Sequence, residues 1–249
     1  MKRNLLIVVG IALLMTTTGC KKEETKVKHL TKIYSTMTTT MNGTVISKIE
    51  RCLQEEWTWD GDKLTTRKHF NSDGELRSIS TLSYTEGQLT KVEDVIQGTN
   101  EIYRLDIKYD DNNKVISTKE YKDDVLFLTY NYQYNGSDKI SKYTKIHTVN
   151  GSSDTSIYDV EWTGNNITRI NCPGKDSCSY TYDNNPNPFI GIIESNNAYS
   201  WASKNNAISV DGNNRQFTYD NDGWPIKIEI ETGAGPYSIS STTEYEYDR

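Results

Sequence analysis

From about residue 50 onward the chain alternates. In Trp57-Thr58-Trp59, Leu82-Ser83-Tyr84, Ile107-Lys108-Tyr109 and Tyr132-Gln133-Tyr134, an apolar or aromatic residue, a polar one and an aromatic follow one another, and five or six residues later comes Leu64, Leu89, Val115 or Ile140. A period of two in an extended chain sends alternate side chains to opposite faces, so each phrase predicts a strand with its rings on one side and Thr, Ser, Lys and Gln on the other. The last aromatic of the phrase stands at 59, 84, 109 and 134, a spacing of 25 each time. Later copies end at Trp162, Tyr182, Tyr219 and Tyr247, with spacings of 28, 20, 37 and 28 that predict insertions between strands.

The joints agree with this pattern. Asp60-Gly61-Asp62, Asn135-Gly136-Ser137 and Thr163-Gly164-Asn165 carry the residues that tolerate the positive φ of tight hairpin turns, and Asn71-Ser72-Asp73-Gly74 and Asp123-Asp124 reverse the chain again between units. The expected fold is all-β: an antiparallel meander of stacked hairpins, roughly 14 to 18 short strands, forming one long, twisted and curved repeat sheet with almost no helix. Recurrence in register makes the rings the interior of the repeat, not a ligand platform. Residues 185–206, with Pro186 and Pro188 and few alternating positions, read as an irregular insertion capping one side or edge of the sheet.

The amino terminus differs. Lys2 and Arg3 precede an apolar run from Leu5 to Met15, too short for a bilayer span of about 20 residues and of the right length for a cleaved leader. The run ends in Thr16-Thr17-Thr18-Gly19-Cys20, which resembles the lipobox of bacterial lipoproteins, with Thr17 where leucine is usual. The resemblance implies lipidation of Cys20 and a membrane partner reached through that lipid. Residues 1–19 are then a leader, 20–30 a lipidated tether and 31–249 a single β repeat domain. Lys21-Lys22-Glu23-Glu24 resembles the surface-export signal of Bacteroidota lipoproteins and reads equally as a solvated tether, so the outer membrane is expected but its cell-surface or periplasmic face stays open.

Composition narrows the function. Without Lys2 and Arg3 the chain carries 26 basic and 34 acidic residues, which argues against nucleic acid. In an oxidising compartment Cys172 and Cys178, flanking a five-residue turn-rich loop, are expected to form a disulfide, leaving Cys52 buried and inert. His29, His69 and His147 have no nucleophile or ligand set beside them in sequence and read as surface or edge residues, so no metal or cofactor is expected. Asp220-Asn221-Asp222-Gly223 has only the first piece of a calcium loop and reads as a hairpin turn. Aromatics outside the repeat positions, Tyr199, Trp201 and Trp224, are the candidates for ligand binding.

Tyr182-Asp183, Tyr219-Asp220-Asn221-Asp222-Gly223 and Tyr247-Asp248 resemble the Y-x-Y-D-x-x-G phrase of YD/RHS-type repeats, and the run from Tyr180 to Phe189 resembles the N-P-F signature of an uncharacterised repeat family of Bacteroidota lipoproteins. The resemblance covers residues 50–249 and implies a fold; the shell-forming role of RHS proteins needs more repeats than this chain has. The function expected is a non-enzymatic binding or envelope-assembly module for a protein or glycan. The alternative is a hydrolase of polysaccharide or peptidoglycan using Glu229 and Glu231, which share a strand face.

Overall fold

The computed structural model describes residues 28–171, 174, 177–193 and 198–248, without the side chains of 198, 199 and 234. The segment read as a leader, Cys20 and Cys172 lie outside them. Sixteen antiparallel strands follow one another: β1 (Leu30–Met41), β2 (Thr44–Asp60), β3 (Lys63–Phe70), β4 (Leu76–Thr85), β5 (Gln88–Ile96), β6 (Ile102–Tyr109), β7 (Val115–Lys122) and β8 (Val125–Tyr134) make the first half. β9 (Ile140–Val149), β10 (Ser152–Thr163), β11 (Asn166–Asn171), β12 (Cys178–Pro186), β13 (Asn205–Val210), β14 (Asn213–Tyr219), β15 (Pro225–Ala234) and β16 (Tyr237–Tyr247) make the second. Each pairs with its sequence neighbours, and β1 pairs with β16 from Leu30↔Tyr247 to Met41↔Tyr237, so the meander closes into a barrel. The only helix among the described residues is α1 (Ala198–Ala202).

The repeat phrase is the closure device. At seven of the eight phrases the ladder slips by one residue just before the terminal aromatic, between Thr58 and Trp59, Ser83 and Tyr84, Lys108 and Tyr109, Gln133 and Tyr134, Glu161 and Trp162, Thr181 and Tyr182, and Thr218 and Tyr219. The bulge leaves one partner residue unpaired and turns both the aromatic and the following Leu, Ile or Val inward. At four of these bulges the extra residue is hydroxylated, and Thr65, Thr90, Ser141 and Thr168 donate to the carbonyls of Thr58, Ser83, Gln133 and Glu161.

Between one hairpin and the next the ladder stops short of the tight-turn end, which leaves carbonyls without a backbone donor. The terminal aromatics supply it. Tyr84 Oη donates to the Leu64 carbonyl at 3.0 Å, Tyr109 to Leu89 at 2.9 Å, Tyr134 to Val115 at 2.9 Å and Tyr247 to Pro225 at 2.8 Å, while Trp59 and Trp162 Nε1 donate to Leu30 and Ile140 at 2.7 Å. A buried unpaired carbonyl costs about 1–3 kcal/mol, which is the physical reason the phrase ends in a ring with a polar tip.

Two residues before each terminal aromatic stands a second inward ring, Trp57, Leu82, Ile107, Tyr132, Val160, Tyr180, Phe217 and Tyr245, and all but Phe217 are at most 8 % exposed. These two rings close the tight-turn end. Both described termini lie at that end, where Asp248 receives the His29 backbone N–H and faces its Nδ1, and the His29 ring stacks on Trp59 at 4.6 Å. His29 is therefore tied into the closed end of the barrel.

A closed barrel has no edge for the insertion to cap, and of the two expected placements it takes the other, against one side of the sheet. It runs from β12 into the lumen. Phe189 packs edge-on to Trp57 and Tyr245, Trp201 packs edge-on to Tyr132, and Ile193 and Trp201 are 6 % and 8 % exposed. Asn187, Asn205 and Asn206 hold the segment's backbone: Asn187 Nδ2 donates to the carbonyls of Ser200 and Ser203, and Asn206 Nδ2 to that of Pro186. Here Tyr182 and Tyr219 break the carbonyl rule and bond to Ser203 and Asp183 instead, so the plug takes the place of a hairpin neighbour.

Candidate functional site

The wall shows different chemistry on its two faces. Outward pairs include Glu56–Lys68, Lys91–Glu93, Arg104–Asp106, Lys142–Asp159, Lys227–Glu229 and Arg51–Glu244, spread around the circumference. Exposed pairs of this kind contribute about 0–1 kcal/mol each, so they matter here as markers of what the outer face contacts. Glu229 and Glu231 lie on that face, half-buried and exposed, with Glu229 Oε1 2.7 Å from Lys227.

Inside, four residues before each terminal aromatic, stands a third ring. Its members are Glu55, Ser80, Leu105, Tyr130, Tyr158, Cys178, Arg215 and Thr243. The two rings nearer the tight-turn end are aromatic or aliphatic throughout, whereas this one is chemically mixed. Three adjoining cavities open along it. One of about 340 Å³ is lined by Glu55, Arg67, His69, Ser80, Asp94 and Glu120, and shares Glu120 and Phe127 with a second of about 360 Å³ that includes Lys145, His147 and Asp154. The third, about 280 Å³, shares Glu55 with the first and lies between the plug and β14–β16. A separate cavity of about 420 Å³ lies at the tight-turn end among Trp59, Tyr84, Tyr109, Ile190 and Trp224.

A polar row crosses four adjacent strands. His69 Nδ1 lies 3.6 Å from Glu55 Oε1, His69 Nε2 is 3.0 Å from Ser80 Oγ, and Ser80 Oγ donates to Asp94 Oδ1 at 3.0 Å. Trp57 Nε1 donates to the other Glu55 oxygen at 2.6 Å. Burial alone would raise the Glu55 carboxyl, but the His69 contact, Arg67 and the indole N–H outweigh it and hold the group below the usual glutamate value. Ser80 has one proton and two polar neighbours, His69 Nε2 and Asp94 Oδ1. With the Ser80 proton given to Asp94 Oδ1, His69 Nε2 is the donor to Ser80 Oγ, while Nδ1 faces Glu55. That arrangement holds the serine proton away from His69, the reverse of what a nucleophilic serine needs.

The residues expected from sequence do not gather in one place. Trp201 is packed inside the plug, Trp224 lines the tight-turn cavity beside Tyr247, and the Tyr199 side chain is outside the described set. Cys178 faces the lumen opposite Ile170, while its expected partner Cys172 is outside the described residues. Cys52 is half-buried, not buried, and its Sγ accepts from Gln54 Nε2 and donates to the Ser35 carbonyl. His69 lies in the lumen instead of on the surface, and His147 stands exposed at its mouth. Asp220 forms a turn, its Oδ1 accepting from the Asp222 and Trp224 backbone N–H groups, with Lys28 paired to Asp220 and Asp222. The third ring was missed although its signal is simple: the inward period of two continues past the rings.

No family model matches the chain, and no curated protein matches it. Among solved structures, a porin-like protein from Bacteroides uniformis matches 88 % of this chain and 98 % of its own length, at 13 % identity and a TM-score of 0.51. At that identity the likeness is one of fold: an antiparallel barrel. The TcdB2–TccC3–TEV structure aligns over 79 % of this chain and 11 % of its own, at 13 % identity and a TM-score of 0.35, too low to bear on the argument.

Proposed function

We propose that the chain is an envelope lipoprotein whose barrel stands in water and binds a small molecule in its lumen, without chemistry. The supporting observation is the polarity of the wall. A barrel in lipid turns an apolar band about 25 Å tall outward and keeps polar residues inside, and a lysine or arginine at the bilayer midplane costs about 2–4 kcal/mol. Here ion pairs ring the outer face and apolar rings fill one end of the inside. The fold is porin-like and its polarity is the reverse of a porin's.

Geometry also supports an orientation. The first described residues and the plug lie at the tight-turn end, so a lipid on Cys20 would attach there and the lumen mouth would point away from the membrane. The mixed third ring is then the recognition layer. Glu229 and Glu231 on the outer face form no enclosed carboxylate pair, which leaves the hydrolase alternative without support from their placement.

Two measurements on the full-length chain test this reading. Cys20→Ser should move the protein from the carbonate-washed membrane pellet to the soluble fraction, and native mass spectrometry of that soluble form should detect a retained small molecule that is lost in Leu105→Trp, which fills the lumen. A Cys20→Ser protein that stays in the washed membrane would show a wall in lipid; one that carries nothing, and gains nothing from an extract of its native envelope, would end the binding role.

A further inference from the structure

We infer that the cavity beside β14–β16 takes a small monocyclic carboxylate, with Arg215 as its counter-ion. The inference rests on the lumen-binding reading and assigns its ligand class.

The first observation is a contrast in pairing. Cations on the outer wall sit against carboxylates, as in Lys68–Glu56 at 3.0 Å and Lys227–Glu229 at 2.7 Å. Arg215, from the third ring, lines the cavity and makes no hydrogen bond or ion pair among the described residues. A guanidinium keeps its charge at any physiological pH and offers a planar fork of donors matched to a carboxylate. The acid that shares its cavity is already engaged: Glu55 receives the Trp57 indole N–H and faces His69.

The second observation is the lining. Around Arg215 the barrel wall of the cavity is Ile33, Phe217, Ile228 and Tyr245, and the opposite side brings Phe189 together with the polar Asn187, Ser200, Asn205 and Asn206. Phe189 and Tyr245 meet edge to face at 6.1 Å, leaving ring faces and edges to receive another ring. The volume, about 280 Å³, suits one ring with a short substituent. Arg215 is half-buried, so an entering acid reaches it without unpacking the wall. An anion there replaces water around a cation that the wall leaves unmatched, and its ring displaces water from apolar surface.

Phenylacetate and phenylacetamide, titrated calorimetrically into the full chain, separate charge recognition from ring burial. The acid should bind at least about tenfold more tightly than the amide, as expected from one charge-assisted hydrogen-bonded pair. Arg215→Gln should erase that preference, Arg215→Lys should keep part of it, and Glu55→Gln should leave it in place or increase it, each with an unchanged far-ultraviolet spectrum. If acid and amide bind alike, or Arg215→Gln keeps the preference, the inference fails while the lumen still binds rings. If phenylacetate, benzoate and cyclohexanecarboxylate all fail to bind, the ligand class is wrong; the lumen-binding reading then stands or falls by the molecule retained in native mass spectrometry.

Discussion

The ring of Phe189 stands edge-on to Trp57, centroids 6.1 Å apart at 66°, and so ties the insertion after β12 to the far end of β2. That contact is what makes the insertion a plug. Phe189→Ala removes a ring that also meets Tyr245, and should cost about 2–4 kcal/mol, whereas Phe189→Leu should cost under about 1.5 kcal/mol. Thermal unfolding followed by circular dichroism measures both. An alanine variant as stable as the parent would mean that the plug is not part of the barrel core.

The aromatic ties between hairpins make a second, quantitative expectation. Tyr84, Tyr109 and Tyr134 each donate to a carbonyl that the ladder leaves open. Replacing any one with phenylalanine keeps the ring and strands the carbonyl, at a cost of about 1–2 kcal/mol. The three sites share no hydrogen-bonding partner, so the costs of a triple variant in urea unfolding should sum to within a few tenths of a kcal/mol per pair. Strong non-additivity would show that the ties act through one shared structure at the tight-turn end.

Those ties also mark how far the sequence could be read. The rings at 59, 84, 109 and 134 announced strands, turns and an inward face, because an alternation with aromatic anchors is a local signal and the structure keeps it. Closure was not local. It depends on β1 meeting β16, two segments more than 190 residues apart, and nothing in Leu30–Met41 names its partner. The direction of the insertion was hidden for a related reason: Phe189 and Trp201 look like surface aromatics until the wall that surrounds them is known. The lumen row was legible in principle, since Glu55 and Ser80 continue the inward parity of Trp57 and Leu82, but single polar residues on an alternating face carry little weight beside rings that repeat. Arg215 is of this kind, four residues before Tyr219 and unremarkable until its neighbours are in place.

Alkaline pH should unfold the barrel early. Burial pushes the phenols of Tyr132 and Tyr134 up to about 12 and raises those of Tyr84, Tyr109, Tyr130, Tyr143, Tyr245 and Tyr247 as well. Their unfolded value is about 10, so the folded state holds protons that the unfolded chain has released. Stability from this source is complete below pH 10 and is lost as pH rises toward 12. Phenolate absorbance at 295 nm should therefore appear together with loss of the strand signal, at one midpoint. Phenols that titrate near pH 10 while the strand signal persists would contradict their burial.

At the acid end the sign reverses. Contact with His69, Arg67 and Trp57 overcomes the burial that alone would raise Glu55, and its folded value lies below the unfolded one of about 4.3. A depressed carboxyl contributes fully above its unfolded value, and that contribution disappears as pH falls through the folded one. The parent should thus lose stability below about pH 4.3, and Glu55→Gln should flatten that limb of the curve while lowering stability at pH 7. Ser80→Ala separates the row from the single carboxylate. Ser80 is 2 % exposed and bridges His69 to Asp94, so its loss leaves Asp94 without that donor and should cost about 1–3 kcal/mol at pH 7, with the Glu55 acid limb retained. Parallel curves for parent and Glu55→Gln from pH 3 to 7 would show that the His69 contact contributes nothing to folding.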